Sequence, residues 1–196
     1  MIRAITASLG LRELLSGPAV EGRHLGAGHV ALGNRVVSIT RPGSARMPNG
    51  IESDVILERG LSVWLGEGSV DVAAWWDPLP VPRVRLAATP GGVPSVAALA
   101  GRGGGLTPSG DDLLCGYAAG LVHFGGRSQE AGAIAREAGP RTTLLSATLL
   151  NCAARGELPS PAHAFLERGD PGPLHRFGHS SGRALLVGLA LAGSQC

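Results

Sequence analysis

Lysine is absent from this 196-residue chain, and all 17 basic residues are arginine. That excludes Schiff-base chemistry, a phosphate-binding P-loop lysine and a Ser–Lys dyad. Aromatic residues make up only 4% and the arginines never cluster, so the basic runs and stacking rings of a nucleic-acid surface are missing. Charge is scarce too, at 16% with a net +2. Cysteine is limited to Cys115, Cys152 and Cys196, widely spaced among apolar neighbours, which argues against a disulfide framework or a CxxC zinc site and for free thiols in a reducing compartment. No HExxH or HxH is present. The longest apolar run, Ala184 to Ala192, is too short for a bilayer that needs about 20 residues, and the N-terminus is broken by Arg12 and Glu13. The expectation is a cytoplasmic protein with no nucleic-acid and no membrane partner.

What remains is 44% hydrophobic with 31 glycines, enough for an ordered core and unlike a disordered chain. The texture changes near residue 89. Before it, His29–Leu32, Gly33-Asn34 and Arg35–Ile39 have the form of a tight hairpin, since Gly and Asn tolerate the positive φ of such turns. Ser53–Leu57 is a second apolar run, closed by Glu58-Arg59-Gly60. Leu61, Val63 and Leu65 alternate with Ser62 and Trp64, the period of a half-buried strand, and Val70–Val72 and Arg83–Leu86 continue the theme. Pro78, Pro80, Pro82, Pro90 and Pro94 bracket a connection. Beyond it the spacing predicts helices over 111–124, 129–138 and 142–154, one opened by Ser160-Pro161, and a last one from Ser180 or Ser181 to Ala192. The fold class expected is α+β, an antiparallel barrel-like or sandwich-like domain at 1–88 followed by an α-helical domain at 89–196.

The chemistry concentrates in residues 101–112, GRGGGLTPSGDD. Gly101, Gly103, Gly104 and Gly105 leave the backbone bare, so a ligand can approach main-chain N–H groups. Pro108 extends Thr107, and Ser109 stands at a capping-box spacing from Asp112 just before a wholly apolar helix. With Gly110 this is the arrangement that binds a phosphate or carboxylate at a helix N-terminus. Asp111 and Asp112 diverge by about 100° on a helix, so they cannot face one point. One serves the helix end, while the other is available to hold Mg²⁺, take a substrate proton or orient Arg102 or Arg141. A second cluster, Arg141, Thr142, Thr143 and Ser146, offers hydroxyls and a guanidinium at another helix start. A third, His179-Ser180-Ser181-Gly182-Arg183, opens the last helix, with His179 a candidate acid, base or ligand. Convergence of these three polar helix starts would make a pocket for a small anion.

The stretch GRGGGLTPSGDDLLCG resembles the signature G-x-G-x-G-L-T-P-S-G-D-D-x-L-x-G of the family that includes AllH, a subunit of oxamate carbamoyltransferase. RTTLLSATLLNCAARGE and GHSSGRALLVGLALA are similar to its other helical blocks, so the likeness covers about residues 100 to 192; in the first half it is limited to the hairpin and Met47-Pro48-Asn49-Gly50-Ile51. The resemblance implies a β-rich part followed by a helical part. It implies work with two other subunits in anaerobic allantoin breakdown, a branch of purine catabolism, where phosphate cleaves oxalurate to oxamate and carbamoyl phosphate. It also implies that the glycine loop, Thr107, Ser109, Asp111, Asp112, Arg141, Thr142, Thr143, Ser146 and Ser181 line the site. The alternatives are a non-catalytic ligand-binding or accessory subunit and a Mg²⁺-assisted amide or ureide hydrolase.

Overall fold

A computed structural model describes residues 1–58, 60–84, 86 and 91–195. The chain divides into two compact units, Met1–Pro78 and Leu79–Cys196. Cys196, Pro90, the Arg59 of the expected turn, the Arg85 of the expected strand and the 88/89 boundary lie outside the described residues.

The first unit is a strand unit. It contains β1 (Ile2–Ala4), β2 (Thr6–Ser8), a short α1 (Arg12–Ser16), β3 (Val20–Gly26), β4 (His29–Leu32), β5 (Arg35–Thr40), β6 (Gly50–Glu52), β7 (Ser62–Leu65), β8 (Val70–Val72) and β9 (Trp75–Trp76). Seven strands form one sheet in the order β7-β3-β4-β5-β6-β2-β9, and β1 pairs with β8 separately. The β4–β5 hairpin forms in the register His29↔Ser38 to Leu32↔Arg35, with Gly33 turning at φ +58°. The expected alternation in β7 also appears, with Val63 and Leu65 buried and Trp64 exposed.

Two expectations are corrected here. The sheet is mixed, because β5–β6 and β2–β9 pair in parallel, and no barrel closes. Ser53–Leu57 forms no strand. The Ser53 hydroxyl donates to the Arg3 carbonyl and accepts the Val55 amide, which turns the chain away. Val30, Leu32, Val37, Ile39, Ile51 and Leu65 pack on one face as the core. The central strands are also buried on their other face, which is polar: Thr6, Ser8, Ser38 and Glu52.

The second unit is helical: α2 (Val96–Leu99), α3 (Ser109–Gly125), α4 (Ser128–Ala138), α5 (Leu144–Ala154), α6 (Ser160–Arg168), α7 (Gly172–His175) and α8 (Ser181–Gly193). The described residues of the expected 83–86 strand form none, since Arg83 and Val84 both donate to the Leu166 carbonyl. Gly126 and Gly169 end α3 and α6 in the left-handed region. Ser160 is the first residue of α6 and not its cap, which is Pro159. Leu114, Ala118, Leu150, Leu158, Leu174 and Leu189 are among the core residues. Among the described residues no helix is long and apolar enough to cross a membrane.

The pairing of α3 with α8 sets the position of the chemistry. A Cβ added at Gly116 would collide with the Leu185 carbonyl, one at Gly188 with the Leu113 carbonyl, and one at Gly120 with the Ala192 Cβ. Gly116 and Gly188 thus let two apolar helices touch backbone to backbone, and Gly120 makes room for the Ala192 methyl. That approach carries the first residue of α8, Ser181, to the start of α3.

Candidate active site at the start of α3

Asp111 is almost wholly buried. Its Oδ1 accepts the Gly101 amide at 2.8 Å and its Oδ2 accepts the Thr142 hydroxyl. One carboxylate therefore ties the opening of the glycine loop and the approach to α5 onto the first turn of α3. Gly101 has to be glycine for this, since it sits at φ +72° and an added Cβ would stand 2.5 Å from the Arg141 carbonyl oxygen. Gly110 likewise packs against the Leu99 backbone.

The loop is fastened at its far end as well. The Thr143 hydroxyl donates to the Leu106 carbonyl at 2.7 Å and accepts the Ser146 amide at 3.1 Å, capping α5. Between these anchors Gly103, Gly104 and Gly105 are exposed, with Gly103 at φ +118° and Gly105 at φ +89°. The Thr107 Oγ1 lies 3.0 Å from the Ser181 Oγ.

Asp112 is different from its neighbour. It is 6% exposed, and its Oδ2 has no hydrogen-bond partner. Burial pushes its carboxyl up to about 7. The Ser181 hydroxyl pulls against that rise, the Asp111 charge adds to it, and the Thr107 hydroxyl opposes it. A carboxyl of this kind exchanges its proton near neutral pH, as a general acid–base group must. The Ser146 hydroxyl is also buried without a partner. One turn below, burial and the charges of Asp112, Asp111 and Cys152 push the Cys115 thiol well up, and burial pushes Cys152 up to about 12, so both stay protonated thiols.

Other sequence expectations meet corrections. The Ser109–Asp112 capping box does not form, because the helix begins at Ser109, Pro108 is the cap and no side chain caps it. The first-turn amides are not all turned to the loop. Gly110 N–H donates to Arg102 O at 2.9 Å, and the amides of Asp111 and Asp112 donate to Pro108 O at 2.9 and 3.1 Å. Arg141 ends a 3-10 turn, Gly139–Arg141; its backbone approaches Gly101 while its side chain is exposed. His179 is exposed in the turn before α8 and joins none of these bonds. Among the described residues no group of three His, Cys, Asp or Glu could hold a metal ion.

The structure therefore joins Gly101, Leu106, Asp111, Thr142 and Thr143 into one clamp, and Thr107, Asp112 and Ser181 into a second group beside it. The Leu106 carbonyl was not among the expected contributors. Nor were Gly116, Gly120 and Gly188, whose spacing along two wholly apolar segments was the signal available for a close helix pair.

No curated protein and no solved structure matches the chain. One family model matches, that of oxamate carbamoyltransferase subunit AllH, over residues 99–193. Those residues hold the glycine loop, both aspartates, the Thr142–Thr143 anchor and Ser181, and over that stretch the chain is similar to the AllH family.

Proposed function

We propose that this chain is a catalytic subunit of an oxamate carbamoyltransferase-type enzyme, and that it works in the cytoplasm alongside other subunits. The observation that carries the reading is Asp112: a buried carboxyl with a lone unpartnered oxygen, titrating near 7, set behind the Thr107–Ser181 hydroxyl pair. A buried acceptor without a donor is costly. The N–H of a carbamoyl or amide group supplies the missing donor.

In the reaction assigned by the resemblance, phosphate oxygen forms a bond to the carbamoyl carbon of oxalurate and the ureide C–N bond breaks. The departing oxamate nitrogen keeps the electron pair of that bond and takes a proton. Asp112 delivers that proton, and removes it in the reverse direction. Thr107 and Ser181 position the group. The exposed Gly103–Gly105 backbone, with Arg102 and Arg141, receives phosphate or the phosphoryl end of carbamoyl phosphate. No step is assigned to a metal.

The test is the assembled enzyme carrying Asp112→Asn. Loss of a general acid–base group costs about 10²–10⁴ in kcat, and phosphate binding should survive. Turnover at the wild-type rate would reject the catalytic role of Asp112. The accessory-subunit reading has one observation in its favour: three first-turn amides of α3 are satisfied by backbone carbonyls, so the loop is held without a ligand. Unchanged turnover in Asp112→Asn together with Ser181→Ala would select it.

A further inference from the structure

The glycine loop sets a run of main-chain donors beside a carboxyl. The amides of Gly103, Gly104, Gly105, Leu106 and Thr107 have no acceptor among the described residues. Gly103 and Gly105 are left-handed and Gly104 between them is not, an alternation that turns successive amides toward one point. The loop folds back on the start of α3, where a Cβ at Gly103 would stand 2.8 Å from the Ser109 nitrogen. Asp112 follows in the first turn of that helix. Thr107 belongs to both parts, because its amide ends the run and its hydroxyl bears on the Asp112 carboxyl.

An anion held by those amides has a repulsive neighbour in an ionised Asp112. That carboxyl is 6% exposed and its Oδ2 has no donor. The groups bearing on it are Thr107 from the loop, Ser181 from α8, and Asp111 and Cys115 from its own helix. None is a cation. Among the described residues no charged side chain of α2, α4 or α5, the other helices packed on α3, bears on it. Nothing there offsets a second negative charge, and burial weakens the screening between the two. A proton on Oδ2 removes one charge and turns the orphan acceptor into a donor.

We infer that the glycine loop takes its anion together with one proton, which passes from solvent to the Asp112 carboxylate as the anion binds. The inference rests on the reading of the loop as the phosphate receptor, and adds how that receptor is coupled to Asp112. Linkage fixes the sign. A bound anion favours the protonated carboxyl, so a protonated carboxyl favours the bound anion. Anion affinity is therefore highest in acid and falls as pH rises through the neutral range, where Asp112 gives up its proton. In the transfer proposed above, phosphate then arrives with the proton that the departing nitrogen needs.

Sulfate is the probe, because it stays a dianion across this range while phosphate itself titrates. Isothermal calorimetry on the full chain, in two buffers of different ionisation heat, counts the protons. Wild type should take up about half a proton or more per sulfate at pH 8 and little at pH 6, with affinity about tenfold weaker at pH 9 than at pH 6. Asp112→Asn should bind sulfate without proton uptake, equally at each pH, and more tightly than wild type at pH 8. His179→Gln, which removes the titratable ring of the turn before α8, should leave the uptake in place. Sulfate binding with no proton uptake, or uptake that survives in Asp112→Asn, would overturn the inference and leave the loop as a receptor. Loss of uptake in His179→Gln would assign the proton to that ring and reject it as well. No saturable binding to wild type at any pH would reject the receptor reading itself, and the inference with it. Should circular dichroism show Asp112→Asn unfolded, Ser181→Ala decides. It raises the Asp112 carboxyl, so the fall in affinity should move to higher pH, and an unmoved fall rejects the proposal.

Discussion

Thr142 donates its hydroxyl to the Oδ2 of Asp111, thirty-one residues earlier in the chain, and the Gly101 amide takes the other oxygen. Removing Asp111 strands two part-buried donors, each about 1–3 kcal/mol. Asp111→Ala should therefore lower the stability of the helical unit by about 3 kcal/mol, and Thr142→Val by about 1–2 kcal/mol. In the double variant the two losses should fall short of additive, because they share one bond. Urea denaturation followed by the helical signal checks this. A midpoint for Asp111→Ala equal to wild type would refute the clamp.

Asp112 should behave in the opposite way. Burial pushes its carboxyl in the folded state up to about 7, above the ordinary aspartate value of 3.8. The folded state then binds more protons than the unfolded state between about pH 4 and 7, so its stability contribution is full at the acid end and falls as pH rises through that window. The loss is on the order of 2–4 kcal/mol, flat above pH 7. Asp112→Asn keeps the shape without the charge. It should remove this pH dependence and unfold at higher urea than wild type at pH 8. Denaturation curves at pH 5 and 8 for both proteins are sufficient, and an equal pH slope in the two would count against a buried, rising carboxyl.

Ser181 gives a companion test. Its hydroxyl restrains the rise of the Asp112 carboxyl. Ser181→Ala should push that carboxyl higher still and shift the alkaline limb of the pH–kcat profile for oxalurate cleavage by the assembled enzyme upward. A structural role alone would lower yield or stability and leave the profile in place.

The sequence was most legible where one period ran long enough to be read locally. The β4–β5 hairpin and the helices α3, α4, α5 and α8 announced themselves through Gly33-Asn34 and through apolar spacing. The parallel pairings of β5 with β6 and β2 with β9 left no local mark, since a three-residue strand such as β2 has no period to read and its partners are remote. At the site, helical geometry already required Asp111 and Asp112 to part company. Which one became the clamp depended on Gly101 and Thr142, fixed only by tertiary structure. Ser109 failed as a cap because the chain turned helical one residue sooner, at Ser109 itself, which left Pro108 as the cap.

The close contact of α3 with α8 yields the last prediction. An added methyl at Gly188 has backbone on its path, at Leu113 O and at the Tyr117 amide, and backbone cannot rotate aside. Overpacking commonly costs 1–3 kcal/mol, and a clash with main chain belongs at or above the upper end, so Gly188→Ala should destabilise the helical unit by about 3 kcal/mol or more. The helices would have to part, which draws Ser181 from Thr107 and frees Asp112 to ionise. The variant should therefore lose the pH dependence described above along with its stability. Gly104→Ala is the contrast. Nothing stands near that position and its φ is ordinary, so the fold should be unaffected, and any change in phosphate affinity reports on the loop itself. Equal thermal midpoints for Gly188→Ala and Gly104→Ala would mean that α3 and α8 do not meet backbone to backbone, and the route by which Ser181 reaches the aspartate would be lost.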